Sequence, residues 1–382
     1  MKRFLDLSKL LSEKSHFLFG PRASGKSFLI DLQLKNACQI VSLLDTDVYL
    51  KLLERPSLIR EMIAASGKSN IVIDEIQRIP ELLNEVHLLT EKQDYRFLLT
   101  GSSARKLKRS NANMLAGRAR KAELFPFSIQ ELKAEAKFDL NKLLCFGGLP
   151  LVYLSKDPYH ELRDYIDTYL QEEIRVEAGV RNLANFSRFL KVAALSNAEI
   201  INYSKMGNDA QVHGNTIREY FQILQDTLLA FIVEPWQMSK KRKAVQTAKF
   251  YFFDTGIANA LINLNQLTPG TSVYGKAFEQ LIALELRAYK SYLRLDDEIC
   301  FWRTKNQHEV DFIIGDHTAI EVKASSIVSP RDQKSLLKLK EEGIIKNYFI
   351  VSNDPVSMKF DSGIQHLPLN EFVNHLWGGQ IF

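Results

Sequence analysis

The first third of the chain sets short apolar runs between amphipathic stretches. The runs fall at 16–19, 39–45, 70–75, 95–100 and 120–126, and the segments between them carry helical spacing. Such alternation predicts a parallel α/β sheet flanked by helices. Ile71-Val72-Ile73 has no polar gap, which suits a strand buried on both faces. From about 128 to 200 the pattern turns helical. Within Glu161–Leu170, the residues Leu162, Tyr165, Ile166 and Tyr169 share one helix face, and Phe146-Gly147-Gly148-Leu149-Pro150 interrupts the region. Residues 186–253 hold three helical stretches, then Phe231–Trp236, a basic segment, and Lys249–Phe253. Helices followed by a two-stranded ribbon predict a winged helix, with Asn215–Leu229 as the second helix of a helix-turn-helix. Beyond 271 the spacing predicts a helix over Gly275–Tyr289 and strands over 309–314 and 319–324. The expected organisation is an α/β parallel-sheet domain at 1–135, a helical segment at 136–185, a winged-helix-like domain at 186–265 and an α/β carboxyl-terminal domain at 266–382.

The first chemistry lies between the first predicted strand and helix. Gly20-Pro21-Arg22-Ala23-Ser24-Gly25-Lys26-Ser27 fits the P-loop pattern G-x-x-x-x-G-K-[ST] at every fixed position. The glycines let the backbone wrap phosphates, and the N–H groups at the start of the following helix hold the anions. Lys26 would reach the β- and γ-phosphates of ATP, and Ser27 would ligate Mg²⁺. The buried run ends in Asp74-Glu75, at the carboxyl end of a parallel strand, where ligands of such sheets bind. Asp74 is placed to hold Mg²⁺ and Glu75 to orient or deprotonate the attacking water. A protein that only binds nucleotide needs no second acid there, so Glu75 suggests hydrolysis.

Composition narrows the setting. Apolar content of 46% and charged content of 25% are those of globular protein with material for several cores. No apolar stretch is long enough for a transmembrane helix, and no signal-peptide core follows Met1. Cys38, Cys145 and Cys300 are isolated, which fits a reducing cytoplasm and excludes a disulfide scaffold or a cysteine zinc cluster. A net charge of +5 is too mild to identify a nucleic-acid partner, so local distribution matters more. The one dense basic run, Lys240-Lys241-Arg242-Lys243, falls at the expected tip of the wing. It serves either as a DNA-phosphate contact or as a solvated, protein-docking hairpin.

A second cluster of candidates lies near the carboxyl end. Alternation puts Glu309 and Asp311 on one face of one strand, and Glu321 and Lys323 on one face of the next. An acid on one strand followed by E-x-K on the next is the arrangement of a metal-dependent phosphodiesterase. Asp311 and Glu321 would hold a hard cation, Glu279 would complete the set from its helix, and Lys323 would position water or stabilise charge. A polar sheet face that merely pairs Glu with Lys reads the same way.

Together these segments resemble a family of prokaryotic AAA+ ATPases whose carboxyl region carries a PD-(D/E)xK, restriction-endonuclease-like fold. The likeness rests on GPRASGKS at 20–27, IVIDEIQRIP at 71–80, LLTGSSARKL at 98–107, LAGRARKAELFPFSIQEL at 115–132, FGGLP at 146–150 and KFYFFDTGIANAL at 249–261, with WRTKNQHEVDFI at 302–313 and AIEVKAS at 319–325. The resemblance implies that Ser102, or Thr100, is the sensor-1 residue. It implies that Arg118 is an arginine finger reaching a neighbour's γ-phosphate, a local salt bridge being the other reading. Arg163 and Arg175 are the candidates for sensor 2. The expected protein is a cytoplasmic, Mg²⁺-dependent ATPase, self-associating and free of membrane, that acts on DNA with or without nuclease activity. The competing expectation is an ATP-switched DNA- or protein-binding module with a catalytically silent carboxyl domain.

Overall fold

A computed structural model describes residues 2–92, 95–102, 117–170, 182–239 and 245–382. The chain separates into two compact units, one built on 1–125 with 169–181 and 226–229, the other on 126–168, 182–225 and 230–382.

The first unit is built on a five-stranded parallel sheet. Its strands are β1 (Ser15–Phe19), β2 (Gln39–Ser42), β3 (Asn70–Asp74), β4 (Arg96–Gly101) and β5 (Ala119–Glu123), in spatial order β2-β3-β4-β1-β5. All five lie at the expected places. The sequence grades them correctly by position: β1 is buried throughout, as are most residues of β3 and β4, while the polar β5, Ala119-Arg120-Lys121-Ala122-Glu123, lies at an edge. Phe17, Phe19, Ile71, Ile73, Phe97 and Leu99 pack with Leu52, Ile59, Leu82 and Val86 of the covering helices into one core. Two parallel β-strands need a crossover between them, and the helices Lys26–Leu34, Leu58–Ser66 and Leu82–Lys92 supply these connections.

The second unit carries a nine-stranded mixed sheet. Its strands are β6 (Glu199–Ile200), β7 (Ala230–Pro235), β8 (Lys249–Phe252), β9 (Ile299–Arg303), β10 (Glu309–Ile314), β11 (Thr318–Lys323), β12 (Asn347–Ser352), β13 (Met358–Lys359) and β14 (Gln365–Pro368). Their order is β13-β14-β12-β11-β10-β9-β7-β8-β6. Helix Leu183–Leu195 precedes β6, helices Tyr203–Ala210 and Gly214–Asp226 follow it, and β6, β8 and β7 form an antiparallel set. The last of these helices ends at Asp226 rather than Leu229, because Leu228 takes a left-handed φ of +59°. The turn before it requires Gly207, where a Cβ would come within 2.8 Å of Val212 O. An aromatic cluster of Phe186, Phe189, Tyr203, Tyr220, Phe221 and Phe250 holds the three helices to β8.

The glycines of two quoted motifs have a packing explanation. Asp254, wholly buried, accepts hydrogen bonds from Gly148 N at 2.8 Å and Ile257 N at 3.2 Å. A Cβ on Gly147 would lie 1.8 Å from Asp254 Oδ1, and one on Gly256 would lie 2.2 Å from Phe146 O. FGGLP and FFDTGI thus form one clasp in which a carboxylate replaces water for backbone N–H groups. Among the described residues no helix is long and apolar enough to cross a membrane.

Candidate functional site

The turn after β1 places the P-loop. Gly20 must lack a side chain, because a Cβ would sit 2.6 Å from Leu124 O, where the chain after β5 pairs with Phe19. Ala23 and Gly25 take left-handed φ values of +60° and +92°, and Gly25 caps the helix that begins at Lys26. The loop is tied down from the start of the chain. Buried Arg3 donates to Ser24 O at 2.9 Å and to Phe125 O at 2.5 Å, so one guanidinium ties the phosphate turn to the chain after β5. Lys26 is buried, and its Nζ donates to Gly20 O at 2.6 Å and Pro21 O at 3.2 Å. The ammonium therefore rests on loop carbonyls that a phosphate would replace as its partner. Pro21 and Arg22 complete the eight-residue turn.

The strand order brings the second half of the site alongside. Between β1 and β3 lies β4, so the loop after β1, the end of β3 and the end of β4 converge on one edge. Ser27 Oγ donates to Asp74 Oδ2 at 3.4 Å, and Thr100 Oγ donates to Asp74 Oδ1. An alcohol and a carboxylate joined this way are the oxygen donors a Mg²⁺ ion takes, so the residues fit the ion. Glu75 leaves the strand with a left-handed φ of +62°, held by a hydrogen bond from its N–H to Thr100 Oγ at 3.1 Å. That strained turn aims its carboxylate differently from that of Asp74. Burial raises the Glu75 carboxyl above the ordinary carboxylate range, opposed by Lys26 and by a hydrogen bond from Gln77.

Two site residues escaped the sequence reading. Buried Gln77 donates through Nε2 to the Glu75 carboxylate and to Ser102 Oγ at 3.3 Å, so it links the acid to the end of β4. Nothing in a lone glutamine marks this role; the only sequence signal is its place two residues past the second acid. Arg3 was equally silent, being one cation in a polar start of the chain. Ser102 is wholly buried at the site, and Thr100 makes the contacts to Asp74 and Glu75. Arg118 pairs with Glu91 of its own chain at 2.5 Å, with 37% of its side chain exposed. Arg163 donates to Asn263 at 3.0 Å, while Arg175 and Lys240, Lys241, Arg242 and Lys243 lie outside the described residues.

The carboxyl-terminal candidates come together, but around a different partner. The strand faces read from alternation are right: Glu309 and Asp311 meet one cation, and Lys323 donates to Glu321 at 2.5 Å. That cation is Lys249 of β8, whose Nζ also lies 2.7 Å from Glu279. The expected three-carboxylate metal cluster of Glu279, Asp311 and Glu321 is corrected accordingly. Among the described residues no group of three His, Cys, Asp or Glu is placed to hold a metal ion. Lys249 and Lys323 already pair with these carboxylates, and Val322 N donates to the second Asp311 oxygen at 2.8 Å. Lys249 was missed because it sits in the aromatic run Lys249–Phe253, which reads as strand core.

Comparison with known proteins agrees with this geometry in its first third. Residues 12–133 match the family model described as an AAA domain. The fold and the site together define this part of the chain as a P-loop domain of the AAA+ class. Residues 137–268 and 274–372 match two models described as domains of unknown function, DUF8612 and DUF4143. Among curated relatives, the uncharacterized protein Rv2008c of Mycobacterium tuberculosis is 28% identical over 338 residues, covering 84% of this chain and 73% of that one. The uncharacterized protein MJ1544 of Methanocaldococcus jannaschii is 24% identical over 335 residues, covering 80% and 73%. Among solved structures, Aeropyrum pernix Orc1 in complex with DNA overlaps at a TM-score of 0.30 and 13% identity, covering 67% of this chain and 90% of that one. The replication initiator DnaA bound to AMPPCP and single-stranded DNA overlaps at 0.28 and 14%, covering 57% and 86%. Overlaps this slight carry no argument about function.

Proposed function

We propose that the chain is a Mg²⁺-dependent ATPase that couples nucleotide turnover to contact with DNA. The observation that carries the first half is the joining of Ser27 to Asp74 beside a separately aimed, half-buried Glu75. Mg²⁺ held by Ser27 and Asp74 supplies charge neutralisation at the phosphates when bound. Backbone N–H groups of residues 24–27 receive the phosphate oxygens, and Lys26 exchanges its carbonyl partners for the β/γ oxygens. Glu75 accepts the proton of the attacking water, its raised pKa bringing it nearer neutrality. Gln77, which also donates to Ser102 Oγ, holds the Glu75 carboxylate in register. Arg118 is the candidate finger in trans, where it would exchange Glu91 for a neighbour's phosphate charge.

Contact with DNA is supported by the order helix, β6, helix, helix, β7, β8, which matches that of a winged helix. Its third helix, Gly214–Asp226, buries Ile217, Tyr220, Phe221 and Leu224 and exposes Asn215, Arg218, Glu219 and Gln222. These are polar side chains able to reach base edges or phosphates. Calorimetry and phosphate release on Lys26→Ala and Glu75→Gln test the ATPase reading. Lys26→Ala should lose ATP binding, whereas Glu75→Gln should bind ATP and nearly stop turnover. ATP bound by Lys26→Ala as tightly as by the unaltered chain would refute the site.

A further inference from the structure

The carboxylates singled out for metal chemistry enclose a cation that belongs to the chain. Lys249 has 3% of its side chain exposed, and its Nζ lies 2.7 Å from Glu279 Oε1, 2.5 Å from Glu309 Oε1 and 3.5 Å from Asp311 Oδ1. Each carboxylate has further donors. Tyr251 donates to Glu279 Oε1 at 2.6 Å, Arg303 reaches Glu309 Oε2 at 3.1 Å, and Val322 N donates to Asp311 Oδ2. Burial opposes the charge on Lys249, yet Glu279, Asp311 and Glu309 outweigh it and hold its pKa well above the ordinary value. A buried ammonium is retained in this way only when opposite charges surround it. The neighbouring Glu321 is buried with Lys323 on Oε1, while its Oε2 has no hydrogen-bond partner. Burial raises its carboxyl, and the charge of Asp311 adds to this. With one Glu321 oxygen held by Lys323, the cluster offers a hard cation few open oxygens.

We infer that the Lys249 ammonium is the resident cation of this cluster, filling the place that a divalent ion would take among Glu279, Glu309 and Asp311. The carboxyl-terminal strands then work without metal, and metal-assisted cleavage of phosphodiesters is not their chemistry. What the ammonium does is structural coupling. It ties β8 to helix Ser272–Leu293 through Glu279 and to β10 through Glu309 and Asp311. The inference is independent of the ATPase reading and survives its failure.

Mn²⁺ titration of the nucleotide-free full chain, followed by electron paramagnetic resonance, tests it. The unaltered chain and Asp311→Asn should take up Mn²⁺ identically, whereas Lys249→Gln should gain one bound ion that Lys249→Gln/Asp311→Asn loses. Asp311-dependent uptake by the unaltered chain, or Asp311-dependent DNA cleavage with Mg²⁺, would overturn the inference. So would a folded Lys249→Gln that gains no ion. Should that variant fail to fold, the ¹⁵N resonance of the Lys249 ammonium in lysine-labelled unaltered protein decides. It should stay sharp in Mn²⁺, and paramagnetic broadening would place the ion in the cage and refute the claim.

Discussion

Glu285 offers the sharpest quantitative prediction, because its environment is closed and its partners are all donors. It lies on helix Ser272–Leu293 with 2% exposure. Its carboxylate accepts from Ile129 N at 2.8 Å, Gln130 N at 3.4 Å and Trp377 Nε1 at 2.7 Å. It thus caps the helix Ile129–Ala134 from a distant part of the chain. Burial pushes its pKa from 4.5 to about 7, the three N–H donors pulling it back. The folded state therefore binds a proton between those values that the unfolded chain releases. Stability from this group is fully present below pH 4.5 and is lost as pH rises through 7. At about 1.4 kcal/mol per pH unit, the carboxylate form lowers stability by roughly 3 kcal/mol once the site is fully ionised. Glu285→Gln removes this dependence. It leaves one N–H facing an amide NH₂, at a cost of about 1–3 kcal/mol that does not vary with pH. Urea unfolding at pH 5 and pH 8 separates the two terms. All three tryptophans, Trp236, Trp302 and Trp377, lie in the second unit, so their fluorescence reports it selectively. The stability advantage of the unaltered chain over Glu285→Gln should shrink by about 2–3 kcal/mol from pH 5 to pH 8. A difference constant across that range would refute the assignment of a neutral buried acid.

Three further expectations address turnover and contact with DNA. Gln77→Leu keeps the volume but removes both hydrogen bonds from Glu75 and Ser102, so kcat should fall roughly tenfold with ATP affinity unchanged; an equal loss of affinity would make Gln77 merely structural. Turnover per chain should rise with protein concentration and lose that rise in Arg118→Ala, and concentration-independent turnover would remove the finger role. Replacing Lys240, Lys241, Arg242 and Lys243 by Gln should flatten the dependence of log K for duplex DNA on log salt by roughly 3 to 4, and an unchanged slope would leave the tip as a solvated or protein-docking hairpin.

The nucleotide site was legible because its chemistry is contiguous in sequence. A P-loop demands glycines at fixed spacing before a helix, and the acid pair ends an uninterrupted apolar strand. The clasp at Asp254 was half legible: the glycines stood out, but their cause, a carboxylate more than a hundred residues away, did not. Gln77 and Arg3 carried no signal, since a hydrogen bond to a backbone carbonyl or to a neighbouring acid imposes no local pattern. The carboxyl-terminal cluster shows the opposite failure. Period-two alternation correctly put Glu309 with Asp311 and Glu321 with Lys323, yet it could not reveal which charge from elsewhere would stand between them.

By itself the sequence determined the parallel sheet, the phosphate loop and the pairing of strand faces, because backbone periodicity and glycine conformation are local properties. Tertiary structure alone decided what the buried charges mean. Lys249 and Asp311 are separated by 62 residues and lie on strands, β8 and β10, that are not neighbours in the sheet, yet the fold brings their side chains to 3.5 Å. A charge removed from water must find its counterpart wherever the fold delivers one, and that delivery is set by topology rather than by spacing along the chain.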